Sequence, residues 1–208
     1  MKTIVLAALA ATLAIAVPAI AQDASKMTFF ATSVGSGDGA NLGGLAGADA
    51  HCNQLAAAAG STITDWKAYL SAEGINAKDR IGAGPWQNLK GDVIATDVAN
   101  LHSPSNNITK ATALTETGAV VNGRGDTPNT HDILTGSNED GTLAVGMTCG
   151  DWTLNGEGSA MLGHSDRLGP DTLATGKSWI AAHPSRGCSQ DNLVRTGGAG
   201  LFYCFAPN

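Results

Sequence analysis

Apolar residues recur at helical spacing in one part of the chain and predict one long helix there. The positions run over 45–59 with polar residues between them, and they are Leu45, Ala48, Cys52, Leu55 and Ala59. Gly60 is predicted to end this helix, because glycine tolerates the left-handed conformation that closes many helices. The sequence therefore places Cys52 on the apolar face of an amphipathic helix.

Short apolar or alternating runs elsewhere predict strands separated by long loops. The predicted strands and extended segments are Met27–Thr32, Trp66–Leu70, Leu89–Ala95, Asp132–Thr135, Thr142–Thr148 and the aromatic run Leu201–Phe205. The predicted loops are Ser33–Gly44, residues 97–131 and most of Gly150–Leu173. One helix followed by many short strands predicts an α+β fold, with residues 22–208 as a single domain.

The amino-terminal segment has the pattern of a secretory signal peptide. Lys2 precedes an apolar run from Ile4 to Val17, which is short for a membrane-spanning helix. Pro18 follows, and then Ala19–Ala21 supplies small residues for cleavage. We therefore expect residues 1–21 to be removed on export, leaving a secreted or periplasmic protein without a membrane anchor.

Charge and cysteine content agree with an extracytoplasmic binding role. The net charge is −6 and the basic residues are scattered, so neither nucleic acid nor an anionic membrane is expected as a partner. The cysteines are Cys52, Cys149, Cys188 and Cys204, and an even number in an exported protein favours disulfides. Four cysteines allow three pairings, and their spacing does not choose among them.

The order of landmarks resembles the C-type-lectin-like fold, and in particular its endostatin-like branch. The segments that carry the resemblance lie between Phe29 and Phe205, and they are Gly43–Cys52, Trp66–Ser71, Asn88–Asp92, Thr135–Gly141, Cys149–Trp152 and Phe202–Phe205. Exported bacterial proteins described as lectin-like show the same order. The resemblance implies nested disulfides, with Cys52 bonded to Cys204 and Cys149 bonded to Cys188.

Calcium-dependent sugar binding is not implied by this resemblance. Lectins of this fold use a Glu-Pro-Asn or Gln-Pro-Asp motif whose oxygens bind calcium. Thr127-Pro128-Asn129 has threonine in place of the charged ligand, and Gly169-Pro170-Asp171 lies after Cys149 and not before it. A fold alone does not carry a function, so a sugar site of this type is not expected.

Two groups of residues remain as candidate ligand sites. Oxygen ligands for calcium could come from Asn138, Glu139, Asp140 and Asp151, although these residues also suit an ordinary polar turn. Trp86 and Trp179 flank predicted loops and could stack on a sugar, whereas Trp66 and Trp152 are expected in the core.

No catalytic motif is found, so the expected function is binding and not catalysis. The chain contains neither a His-Glu-x-x-His sequence nor a Gly-x-Ser-x-Gly elbow. We expect an exported interaction module for an extracellular glycan or protein, with no required cofactor apart from possible calcium. A lectin with a non-standard or metal-free site is the alternative, and a hydrolase is the third possibility.

Overall fold

The computed structural model describes residues 23–170, 172 and 174–208, so the predicted signal peptide and Asp171 lie outside it.

Strand β8, Gly198–Phe205, is an interior strand of the main sheet. The neighbouring strands follow in the order β1 (Phe29–Ala31), β8, β5 (Asp132–Leu134), β6 (Met161–His164) and β7 (His183–Pro184). Strand β2 (Lys67–Ala68) also pairs with β8, while β3 (Trp86–Gln87) and β4 (Val93–Ala95) form a separate pair. The β5–β8 pair is parallel and the other pairs are antiparallel.

The helices are α1 (Gly44–Ala58), α2 (Val98–Leu101), α3 (Cys149–Trp152) and α4 (Gln190–Thr196). Helix α1 confirms the predicted helix with a shift of one residue at each end. Helix α3 is a single turn in which all four residues have positive φ, between 48° and 67°. Together these elements confirm the α+β class.

Strand β8 separates two layers of buried side chains, which explains why its sequence is apolar at successive positions. Phe202 and Cys204 face the layer under α1, whereas Leu201, Tyr203 and Phe205 face the opposite layer. A strand buried on both faces has no polar alternation. The prediction of a buried closing strand is therefore confirmed, and the strand begins three residues earlier than expected.

Both predicted disulfides are present. Cys52 is bonded to Cys204 and Cys149 to Cys188, and all four residues are at most 1 % exposed. The first bond joins α1 to β8, as the resemblance implied. Disulfides persist in oxidising compartments, so this chemistry agrees with a location outside the cytoplasm. The helices of the described part of the chain are all too short or too polar to cross a membrane.

One prediction about local structure is wrong, and two elements were not predicted. Thr142–Thr148 forms single bridges, Ser137 with Leu143 and Thr148 with Ala160, and not a strand. The range Gly150–Leu173 is mostly loop as predicted, but it also contains β6, where Gly163 interrupts the apolar pattern typical of a strand. Helix α4 was not expected, although Ser189 caps it by accepting a hydrogen bond from the backbone N–H of Asn192.

Candidate metal centre

Strand register brings one carboxylate and two histidines together at one end of the sheet. Asp132 of β5 lies opposite His164 of β6, and His183 of β7 lies opposite Leu162. Directly paired residues share a face of the sheet, and so do residues two apart in one strand. His183 therefore lies on the same face as Leu162, its partner, and as His164, two residues further along β6. Three neighbouring strands therefore contribute one side chain each to one place.

A third histidine enters from the residue before β5. The ring of His131 stacks on that of His164, with the centroids 4.2 Å apart and the planes inclined by 10°. The Nε2 atoms of both rings lie close to the carboxylate of Asp132. We call His131, Asp132, His164 and His183 the histidine cluster.

Three imidazole nitrogens of the cluster lie near one carboxylate oxygen, Oδ1 of Asp132. The Nε2 atoms lie 3.2 Å (His131), 3.3 Å (His164) and 3.7 Å (His183) from Oδ1 of Asp132. The Nε2 atoms of His164 and His183 are 2.9 Å apart. Ligands at 2.0–2.1 Å from a tetrahedral zinc ion lie roughly 3.3 Å from one another, and the separations of Asp132 Oδ1 from the His131 and His164 nitrogens are close to this value.

Asp132 has no hydrogen-bond partner although it is buried. Its side chain is 1 % exposed, and neither carboxylate oxygen meets the geometry of a hydrogen bond, although three imidazole nitrogens lie nearby. An ionised carboxylate buried without compensation costs several kcal/mol. A cation bound between the carboxylate and the imidazole rings would compensate this charge.

The other nitrogen of each imidazole has an acceptor beside it. His131 Nδ1 lies 2.9 Å from Asp166 Oδ1, His164 Nδ1 lies 2.7 Å from the Gly176 carbonyl, and His183 Nδ1 lies 3.1 Å from the Pro184 carbonyl. A carbonyl oxygen only accepts, so each Nδ1 is assigned as the N–H donor. In the neutral ring this assignment leaves every Nε2 with a lone pair. Metal-binding histidines are oriented in the same manner.

Asp166 is held in its ionised form. Burial raises the pKa of this carboxyl. Hydrogen bonds from His131 and from the backbone N–H groups of Arg124 and Leu168 have the larger, opposite effect, and the pKa is lowered to about 2. Gly123 packs against the carboxylate of Asp166. A Cβ atom at position 123 would lie only 2.6 Å from Asp166 Oδ2, so a larger residue would displace this carboxylate. Asp166 therefore accepts a hydrogen bond from Nδ1–H of His131 and makes no contact with the Nε2 atom that would bind a metal.

The segment that supports His164 passes directly beneath β6. A Cβ atom at Gly163 would lie 1.7 Å from the carbonyl oxygen of Trp179, so only glycine permits this approach. The close passage brings the Gly176 carbonyl to His164 Nδ1. The pKa of His164 is raised: burial lowers it, but Asp132 and the Gly176 carbonyl outweigh that effect.

Among the described residues, His131, Asp132 and His164 form a group whose ligand atoms all lie within 4.8 Å of one another, and His183 is not a member of that group. Glu139, Asp140 and Asp151, which the sequence suggested for calcium, do not form such a group. The oxygen Oδ1 of Asp140 accepts from the N–H and hydroxyl of Thr142, as in an ordinary polar turn. Asn138 donates to the Leu143 carbonyl within the same turn.

Asp151 is engaged in a different local structure. Its Oδ1 accepts hydrogen bonds from the Glu73 backbone N–H and from the Thr148 hydroxyl, at 3.0 and 3.1 Å. The four residues considered as calcium ligands therefore lie in two separate turn structures, as the polar-turn alternative predicted for Asn138 and Asp140.

The expectation that Trp86 and Trp179 form stacking surfaces is corrected. Trp86 is 0 % exposed and Trp179 is 4 % exposed, so neither presents a ring face to a sugar. Both pack in the aromatic layer on one side of β8, Trp86 against Phe205 and Trp179 against Tyr69. Trp66 and Trp152 are buried as predicted.

The histidine cluster was missed because its members are far apart in sequence. A search for short ligand spacings finds nothing, since each ligand comes from a different strand or strand end. The available signal was weak: three of the five histidines lie between residues 131 and 183, and one of them precedes an aspartate.

No protein-family model and no curated protein matches this chain. Its function is therefore argued from the residues of the cluster.

Proposed function

We propose that this protein is an extracytoplasmic binding module that holds one zinc ion in the histidine cluster. The observation that carries the proposal is the buried carboxylate of Asp132, which accepts no hydrogen bond while three imidazole nitrogens lie within 3.7 Å of its Oδ1. Imidazole nitrogen and carboxylate oxygen are both ligands that zinc takes in proteins.

The ligand types favour zinc over calcium. Calcium takes six to eight oxygen ligands, whereas the cluster offers nitrogen from three of its four side chains. Imidazole suits zinc and neighbouring transition metals.

The fold and location complete the proposal. The position of Cys52 on α1, the nested disulfides and the closing strand β8 support a lectin-like, endostatin-like fold. The disulfides and the signal-like residues 1–21 support export to the periplasm or the extracellular space.

A glycan or protein ligand is a second candidate, and one surface feature favours it. A cavity of about 630 Å³ is lined by apolar residues that include Met161 and Ala181 and by polar residues that include Asn138 and Glu139. Binding pockets commonly combine an apolar lining with a few polar groups. A glycan array probed with and without chelator would test this role.

Metal analysis of the disulfide-bonded protein tests the zinc site. We expect one zinc ion per chain, a loss of that ion in His164→Ala, and full retention in the control His51→Ala, because His51 lies on α1 and is hydrogen-bonded to the Val34 carbonyl. Wild-type protein that takes up no zinc at micromolar concentration would overturn the proposal.

A further inference from the structure

Resting on the proposed zinc site, we propose that His183 is its displaceable ligand, and that the coordination position His183 occupies accepts a small monodentate donor from solution. The four ligands are not equally held. The side chain of His183 is 26 % exposed, whereas those of His131, Asp132 and His164 are 7 %, 1 % and 2 % exposed.

His183 is also the ligand with the weakest support from its surroundings. Its Nδ1 meets the carbonyl of its own neighbour Pro184, at 3.1 Å and in contact with solvent. The corresponding bonds of His131 and His164 are buried and join residues distant in sequence. Outer hydrogen bonds fix the orientation of a ligating ring, so His183 is the ring that turns away most easily.

The backbone under His183 belongs to the edge of the sheet. Strand β7 has two residues and pairs with β6 at the end of the strand order. Asp132 and His164 lie in strands that are paired on both sides. Local opening is least costly where few contacts and hydrogen bonds hold the chain.

Movement of His183 would leave a three-ligand site. His131, His164 and Asp132 would retain the ion, and the fourth position would face the solvent through the gap left by the exposed ring. Three protein ligands with one open position are the arrangement in which zinc binds water or another exchangeable group. The incoming group needs one nitrogen or oxygen lone pair, as in an imidazole or a small anion.

Cobalt substitution with imidazole rescue tests this assignment. Cobalt(II) would replace zinc, because its visible absorption reports coordination number, and His183→Gly would be compared with His164→Gly and with the control His51→Gly. We expect His183→Gly to bind cobalt more weakly, with added imidazole restoring the binding and the tetrahedral spectrum. His164→Gly should lose cobalt and show no rescue, because its cavity would be buried. Azide added to the wild-type cobalt protein should also change the spectrum.

The outcomes separate this inference from the zinc site itself. Wild-type protein that binds neither zinc nor cobalt would contradict the proposed function. Wild-type protein that binds cobalt, together with a His183→Gly variant that loses the metal as completely as His164→Gly and gains nothing from imidazole, would overturn only the displaceable ligand. If His183→Gly does not fold, the azide titration of the wild type decides, and an unchanged spectrum would overturn the inference.

Discussion

The two ends of β8 are held by different chemistry. Near the carboxyl end, Cys204 is bonded to Cys52 within an apolar layer that includes Phe30 and Trp66. At the amino end, Gly198 pairs with Asp132, whose carboxylate lies among three imidazole rings. The first end is stabilised by burial of apolar surface and by a covalent bond. At the second end, the carboxylate of Asp132 is buried without a hydrogen-bond partner. One end is therefore closed by a covalent bond, whereas the other is expected to gain stability when the proposed zinc ion binds.

The largest expected effect is at the disulfide end. Cys204→Ser would break the bond to Cys52 and place a hydroxyl in apolar surroundings. Loss of a native disulfide costs about 2–5 kcal/mol in the free energy of unfolding. Urea unfolding should show a reduction of this size both with and without zinc. An unchanged midpoint would mean that the closing strand does not depend on this bond.

Removal of metal should weaken the histidine end by a somewhat smaller amount. Zinc at a hundred times its dissociation constant would stabilise the folded chain by about 2.7 kcal/mol. For a chain of this size that free energy corresponds to a rise in Tm of about 5–10 °C. Thermal unfolding with zinc and with a chelator measures the difference. The variant His164→Ala should show no such shift, whereas His51→Ala should match the wild type.

Asp132→Asn sharpens the comparison because its effect should change sign with metal. Without metal, the amide removes the uncompensated charge, so we expect the variant to unfold at a higher urea concentration than the wild type. With zinc, the wild type should be the more stable, since the amide is a poorer ligand. If the metal-free variant is less stable than the metal-free wild type, then Asp132 is already compensated by its neighbours.

The hydrogen-bonded carboxylate of Asp166 should give a smaller, acid-dependent effect. Its pKa is lowered from 3.8 to about 2 in the folded chain, so its contribution is present above pH 3.8 and is lost as the pH falls toward 2. The shift corresponds to about 2 kcal/mol. Urea unfolding of metal-free protein between pH 5 and pH 2, values chosen to span that window, should show this loss in the wild type and a flatter dependence in Asp166→Asn.

The smallest effect is expected in the turn that the sequence suggested for calcium. Asp140→Ala removes hydrogen bonds that are exposed and local, so the free energy of unfolding should change by less than about 0.5 kcal/mol. Calcium at millimolar concentration, an amount chosen to detect a weak site, should leave the Tm of both proteins unchanged. A calcium-dependent rise in Tm that Asp140→Ala abolishes would restore the calcium site.

Sequence reasoning was successful where local pattern and burial coincide. The apolar spacing around Cys52 predicts α1 within one residue at each end, and the run ending at Phe205 predicts the buried strand β8. It failed for β6, because Gly163 and the surrounding small residues resemble a loop. That glycine is required by the close passage of the Trp179 carbonyl, a contact that the sequence does not display.

The sequence by itself determined the elements and the type of cross-link at one end of the molecule. Helical periodicity, a doubly buried apolar strand and an even number of cysteines are local or countable properties. The histidine cluster was decided only by the tertiary structure, because it depends on which residues of β5, β6 and β7 lie opposite one another. His164 and His183 are 19 residues apart in the chain, yet their Nε2 atoms are 2.9 Å apart. Register over several strands is a property of the folded sheet, since a slip of one residue would turn these side chains to the other face.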